Sequence, residues 1–261
     1  MIIDASTYIG HWPFRRLRHN TAEGLISLMD RNGIDKAVVS SINAVFYKNC
    51  QEGNEELAEE IEPYRDRLIP FATLNPKYVA WREDLERCVE DLGMRGLRLY
   101  PVYHKYGLLE RESSELLREA ARMRLPVELP VTLVDPRQHH WLDVDTGLPL
   151  NQVLEAANRY RENVFIILNA KTVSPIIERK GAAAPPRNVY VEMSRLSAVL
   201  NKSIQAVISR LGVERVVFGT GMPFHYAKPA LLKMEILDIK EEEKEAIYWK
   251  NMAELLGLQG G

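Results

Sequence analysis

Three histidines lie just beyond short β-rich runs: His11 after the run at 2–5, His104 after 96–100 and His225 after 215–219. An imidazole changes charge near neutral pH, so each is a candidate proton carrier, His225 and His11 first among them. Within the runs, polar residues recur at every second position: Asp4, Ser6 and Tyr8; Arg98 and Tyr100; Glu128 before Pro130; Tyr190, Glu192 and Ser194. Strand alternation puts each such set on one face and leaves Leu97, Leu99, Val189, Val191 and Met193 for the other. A guanidinium among carboxylates has two uses. Arg98 either pairs internally, Glu128 being a nearer partner than Glu192, or grips a substrate carboxylate with its planar fork. In the second case Tyr100, Glu128, Glu192 and His104 line the substrate site and Tyr8 hydrogen-bonds developing charge. Arg195, directly after Ser194, binds an anion or lies on the surface. Residues 46–50 after the second run, and Trp12 and Phe14 beside His11, form a pocket wall or simply cover the rim. Cys50 shows no sequence partner for a Cys–His nucleophile, and His19, His139 and His140 acquire no role.

The elements that must position these groups alternate along the chain. Candidate strands cover 2–5, 37–42, 69–74, 96–100, 127–131, 164–168, 189–193 and 215–219. Helical patterns cover 21–31, 55–62, 81–92, 113–124, 150–160 and 196–211, with a weaker start near Ser174 and more helix after Pro229 and through 241–256. Thr21 offers a capping hydroxyl, and Gly33 and Gly93 suit left-handed helix ends. Eight strands in strict alternation with helices predict an α/β fold, a (β/α)8 TIM barrel, over 1–261 as one domain. A doubly wound sheet is the competing architecture, but no Gly-rich phosphate loop follows the first strand.

Bulk properties narrow the partners. The 261 residues carry 34 Lys and Arg against 36 Asp and Glu, a balance that argues against nucleic acid. No apolar run is long enough to cross a bilayer, and the N-terminus lacks the pattern of a signal peptide, so a cytoplasmic address is expected. Cys50 and Cys88 read as free thiols. The run Glu241–Glu245 reads as a solvated helix face.

IIDASTYIG at 2–10, GLRLYP at 96–101, LPVELPV at 125–131, NVYVEMS at 188–194, RVVFGTGMPF at 215–224 and NMAELLGL at 251–258, taken in this order, resemble the amidohydrolase-related proteins, the metal-dependent hydrolase and decarboxylase branch of the amidohydrolase superfamily. IIDASTYIG at 2–10 resembles that family's opening strand, which is written Asp-Ala-His-x-His. GLRLYP at 96–101, LPVELPV at 125–131 and NVYVEMS at 188–194 resemble its fourth, fifth and seventh strands. RVVFGTGMPF at 215–224 resembles the eighth, Phe-Gly-(Ser/Thr)-Asp-x-Pro, and NMAELLGL at 251–258 the C-terminal segment. The positions that hold metal in the family are altered here. Its two first-strand histidines are Ser6 and Tyr8, its fifth-strand histidine is Pro130, its sixth falls at Asn169 or Ala170, and its eighth-strand acid is Gly221. Asn169 thereby joins the substrate-binding candidates.

Because zinc needs three or four converging ligands, no cofactor is expected, zinc and manganese included. The resemblance then implies a metal-independent hydrolase or lyase acting on a small carboxylated substrate. The alternative is a catalytically inactive barrel, a pseudoenzyme kept as a ligand-binding or assembly subunit. A third reading draws new metal ligands from Asp4, Glu128, Glu192 and the loop histidines. Expected partners are a small-molecule substrate or ligand, with no nucleic acid and no membrane; a homo-oligomer stays open.

Overall fold

The computed structural model describes residues 1–173, 176 and 185–258. All eight expected strands are present: β1 (Ile3–Ile9), β2 (Lys36–Ser41), β3 (Leu68–Pro70), β4 (Leu97–Arg98), β5 (Val127–Pro130), β6 (Phe165–Leu168), β7 (Val189–Glu192) and β8 (Val216–Val217). They form two parallel groups, β1-β2-β3 and β4-β5-β6-β7-β8. Two bridges join the groups into a ring, Ala72 beside Leu97 and Thr7 beside Met222. Tyr8 N–H to Met222 O and Ala5 N–H to Phe218 O, both 2.9 Å, seal the last seam. The fold is a closed (β/α)8 TIM barrel.

Among the described residues the α-helices are α1 (Ala22–Asn32), α2 (Asn43–Phe46), α3 (Cys50–Glu60), α4 (Trp81–Glu90), α5 (Pro101–His104), α6 (Arg111–Arg122), α7 (Leu150–Arg159), α8 (Ser203–Leu211), α9 (Lys228–Ile236), α10 (Glu241–Glu245) and α11 (Asn251–Leu255). Thr21 caps α1 by accepting from Gly24 N–H, and Gly33 ends it at φ 64°, a left-handed turn that glycine enters without a Cβ penalty. Ala22, Leu25 and Met29 give α1 its buried stripe. The largest core cluster lies between helices and strands and takes Leu97, Leu99, Val189, Val191 and Met193, the face alternation assigns to them. A second cluster fills the barrel: Ile3, Ala5, Val38, Phe71, Ile166, Leu168 and Val217, with Met252 and Leu256 of the C-terminal segment packed on it.

Two local readings differ from expectation and a third is not described. β1 does not alternate strictly, because its register against β2 shifts between Asp4 and Thr7. The helix expected over 196–211 begins only at Ser203, since Lys202 sits at φ 49° and breaks any continuous helix. The weak helix expected near Ser174 lies outside the described residues. Among the described residues no helix is long and apolar enough to cross a membrane.

Candidate functional site

At the barrel floor Arg98 is fully buried and every guanidinium N–H has a partner. Nε donates to Glu128 Oε2 at 2.6 Å; one terminal nitrogen donates to Thr7 O and Ser40 Oγ, the other to Ala5 O and Val38 O. A guanidinium has five such donors, so none is left for a substrate. Arg98 therefore leaves the substrate-binding set: it is the internal ion pair, with Glu128 as foreseen. Burial lowers its affinity for the proton, but the Glu128 carboxylate outweighs that and keeps it charged. Burial pushes Glu128 up to about 7 against the pull of Arg98. Tyr100 donates to or accepts from Ser40 Oγ at 3.1 Å beside the same pair. Glu192 is likewise consumed, accepting from Asn169 N–H at 3.2 Å and from Ser194 N–H and Oγ.

Four of the positions that the resemblance marks as altered lie together. Asn169 Nδ2 donates to Tyr8 OH at 3.1 Å, Ser6 Oγ lies 3.4 Å from the same hydroxyl, and Gly221 N–H donates to Ser6 O. Gly221 has φ +75°, and a Cβ there would stand 2.7 Å from His225 Cδ2, so the histidine ring fills the space an acidic side chain would enter. Asp4 ties β1 to the β8 loop by accepting from Ser6 N–H, Thr220 N–H and Thr220 Oγ1, and burial raises its pKa to about 7.

Above this ring the mouth is closed by aromatic side chains. Phe224 packs edge-on to Tyr8 at 5.3 Å between centroids and to Trp12 at 5.0 Å; Trp12 meets Phe14 and Phe46, and Phe46 meets Tyr103. Tyr8 is 0% exposed as a result and Trp12 2%. Trp12 and Phe14 thus cover the rim. Tyr8 sits beneath that cover, and its hydroxyl is pushed above its ordinary range by burial. His11 is exposed and lines a separate cavity with Pro13 and Phe14, apart from His225. His104 turns away, Nε2 3.2 Å from Val45 O and 4.0 Å from Cys50 Sγ. That Cys–His approach was illegible in the sequence, yet burial pushes the thiol up to about 12 and lowers the imidazole, so both are neutral.

The open polar site is at the rim between β5 and β8. Asp135 accepts from Arg195 at 2.5 Å, Lys171 at 2.8 Å and Arg137 at 3.0 Å; hydrogen bonds from Arg137 and Lys171 hold its carboxyl far below the usual range. Three cations around one carboxylate leave positive charge over. The other terminal nitrogen of Arg195 donates to His225 Nδ1 at 3.4 Å. An imidazole that accepts at Nδ1 is neutral with its proton on Nε2, and burial, then Arg195, lowers the His225 pKa to about 4. Arg195, His225, Ser194 and Lys233 line a cavity of about 370 Å³, and Lys233 donates to Ser194 O. Of these, Asp135, Lys171 and Lys233 were missed. Asp135, Lys171 and Arg195 each follow the end of a successive strand by three to five residues, and that regularity was the available signal.

A family comparison reads the same chain independently: the amidohydrolase family model matches residues 4–165. The chain belongs to the amidohydrolase family. Solved structures that superpose on this amidohydrolase barrel include a 2,6-dihydroxybenzoate decarboxylase from Rhizobium, 19% identical over 99% of this chain and 98% of that one, TM-score 0.74. Another is a dihydroxybenzoic acid decarboxylase from Polaromonas sp. JS666 with bound manganese and 2-nitroresorcinol, 18% identical over 100% and 98%, TM-score 0.77. A 5-carboxyvanillate decarboxylase from Novosphingobium aromaticivorans, also with manganese, is 18% identical over 90% and 80%, TM-score 0.69. Identities this low carry the fold alone.

The two manganese-bound neighbours correct one expectation. The absence of metal ligands in the sequence led to no cofactor being expected, manganese included, whereas manganese is held by barrels of this same fold. Loss of a motif was read there as loss of a cofactor, which does not follow. The residues at this chain's own ring positions nevertheless do not fit a dication. Ser6, Tyr8 and Asn169 offer neutral oxygens and the Pro130 side chain none; Arg98 holds one oxygen of the Glu128 carboxylate. Although Glu128 Oε1 and Asn169 Oδ1 are buried without a partner, one carboxylate oxygen and neutral groups fall short of the charged set a dication needs. Among the described residues no group of three or more His, Cys, Asp and Glu converges.

Proposed function

We propose that this amidohydrolase-family barrel holds a small carboxylated compound in the rim cavity and carries out a hydrolytic or lyase-type cleavage on it. Arg195 and Lys233 bind the carboxylate, and His225 presents its Nε2 proton to the group on which negative charge develops. The observation that carries this reading is the Arg195–His225 contact on the cavity wall. With Nδ1 accepting from Arg195 the imidazole is a neutral donor at Nε2, so His225 acts as an electrophile, a narrower role than the proton carrier expected from sequence. The fold neighbours lend support, being decarboxylases of dihydroxybenzoate and carboxyvanillate, both carboxylated.

The test is a screen of small carboxylic acids for binding and turnover, with and without added manganese, on the native chain and on Arg195→Ala. Binding of a carboxylic acid that Arg195→Ala abolishes supports the reading; binding indifferent to Arg195 overturns it. A second reading has a specific observation behind it: the aromatic closure over Tyr8 suits a barrel that holds a ligand without turning it over. Binding without turnover in every arm of the screen selects that reading.

A further inference from the structure

On the far side of His225 and Phe224 runs a second groove, of about 640 Å³, between the loop after β1 and the loop after β8. Five cations line it: Arg15, Arg16 and Arg18 from the first loop, Arg31 from the end of α1, and Lys228 at the start of α9. No acidic residue lines it among the described residues. Nor does any of the five form an ion pair among the described residues. Arg15 donates to the neutral Gln138 side chain at 3.1 Å, and Arg31 to Ser27. Arg65, Arg67, Arg82, Arg87 and Arg122, by contrast, each pair with a carboxylate. The whole chain has a net charge of -2, so this concentration of unpaired positive charge is local. Like charges gathered in one concavity repel one another and focus a field that draws an anion.

We propose that this groove binds the di- or triphosphate group of a small molecule. Four guanidinium forks suit phosphate oxygens, and several cations together suit an anion of more than one charge. The volume is that of a small-molecule pocket, and five cations gathered around one concavity suit a compact anion better than the extended track a polynucleotide requires. The Tyr226 ring, 86% exposed on the groove wall, offers a face on which the organic part of the ligand rests. The groove shares Gln138, Phe224, His225 and Tyr226 with the carboxylate cavity, but none of its five cations lines that cavity, and the proposal stands whether or not that cavity turns anything over.

The experiment is calorimetric titration of the full chain with inorganic pyrophosphate, tripolyphosphate, ADP, inorganic phosphate and acetate. Pyrophosphate and tripolyphosphate bind at least roughly tenfold more tightly than phosphate, and binding weakens steeply with salt. Arg16→Ala, Arg18→Ala and Lys228→Ala each weaken pyrophosphate by roughly tenfold, the cost of one hydrogen bond to a charged group. The three side chains are exposed, so the melting temperature stays unchanged, and the acid found for the Arg195 cavity binds as before. ADP binding that weakens in Tyr226→Ala, with pyrophosphate unaffected, assigns the ligand as a nucleotide; equal behaviour of the two assigns a free polyphosphate. Pyrophosphate binding no tighter than phosphate, or undiminished in all three variants, overturns the proposal. So does binding of an oligoglutamate peptide with no binding of pyrophosphate, which makes the groove a protein contact.

Discussion

The side chain that looked most like substrate recognition is a piece of the scaffold. Arg98 was legible as a partner for Glu128, because the two face each other on adjacent strands. What the sequence left open was whether its remaining donors were free, and backbone carbonyls of β1 and β2 take them. Arg98→Met strands a buried carboxylate and costs about 3–5 kcal/mol in denaturant unfolding. Adding Glu128→Leu recovers most of it. Unaltered stability with lost ligand binding would return Arg98 to the substrate site. The rim residues show the opposite pattern: Asp135, Lys171, Arg195 and His225 lie on four separate loops, and the parallel order β5-β6-β7-β8 brings them side by side. His225→Gln keeps carboxylate affinity within about threefold but lowers any turnover by roughly 10²-fold or more, the scale of one lost transition-state donor. With its pKa near 4, the neutral donor form persists well below pH 6.5, so the acid limb of kcat/KM that reports His225 falls near 4. A limb near 6.5 would contradict the burial of His225 beside Arg195.

At the scale of elements, the strands were legible because apolar and polar residues alternate between turn signals, and the outward set of Leu97, Leu99, Val189 and Val191 packs where that pattern puts it. The ends of elements were less so. The stretch 196–202 carries helix-compatible residues, yet left-handed Lys202 keeps it in turns, and Ser197 N–H is held by Ser203 Oγ at 2.8 Å. The closed mouth was equally hidden, because Trp12, Phe46 and Phe224 come from loops after β1, β2 and β8 and meet only when the ring is complete. Trp12→Ala removes the centre of that cluster and costs about 3–5 kcal/mol. It leaves a dry apolar space, so the variant's melting temperature rises with added indole while the native protein's does not. A Trp12→Ala protein as stable as the native one would mean the aromatics do not seal the mouth.

For the whole molecule, barrel closure brings Ser6, Tyr8, Asn169 and Gly221 together, while the accessible polar groups stand to one side of them. The interior charges leave a signature in the pH dependence of stability. Asp4 ionises near 3.8 when unfolded and near 7 when folded. Between those values the folded state keeps a proton that the unfolded state has lost, so the contribution is full below 3.8 and vanishes as pH rises through 7. Relative to native, Asp4→Asn therefore gains stability from pH 4 to 7 and no more above it, by at most about 4 kcal/mol. A difference flat across that range contradicts the burial of Asp4 in a protonated state. The most direct measurement for the account as a whole is a crystal structure of the full chain soaked with a carboxylic acid that the screen shows to bind. The account predicts its carboxylate on Arg195 and Lys233, beside His225 and outside intact Trp12 and Phe224 rings. A ligand seated over Tyr8 and Asn169, with those rings swung aside, would contradict it.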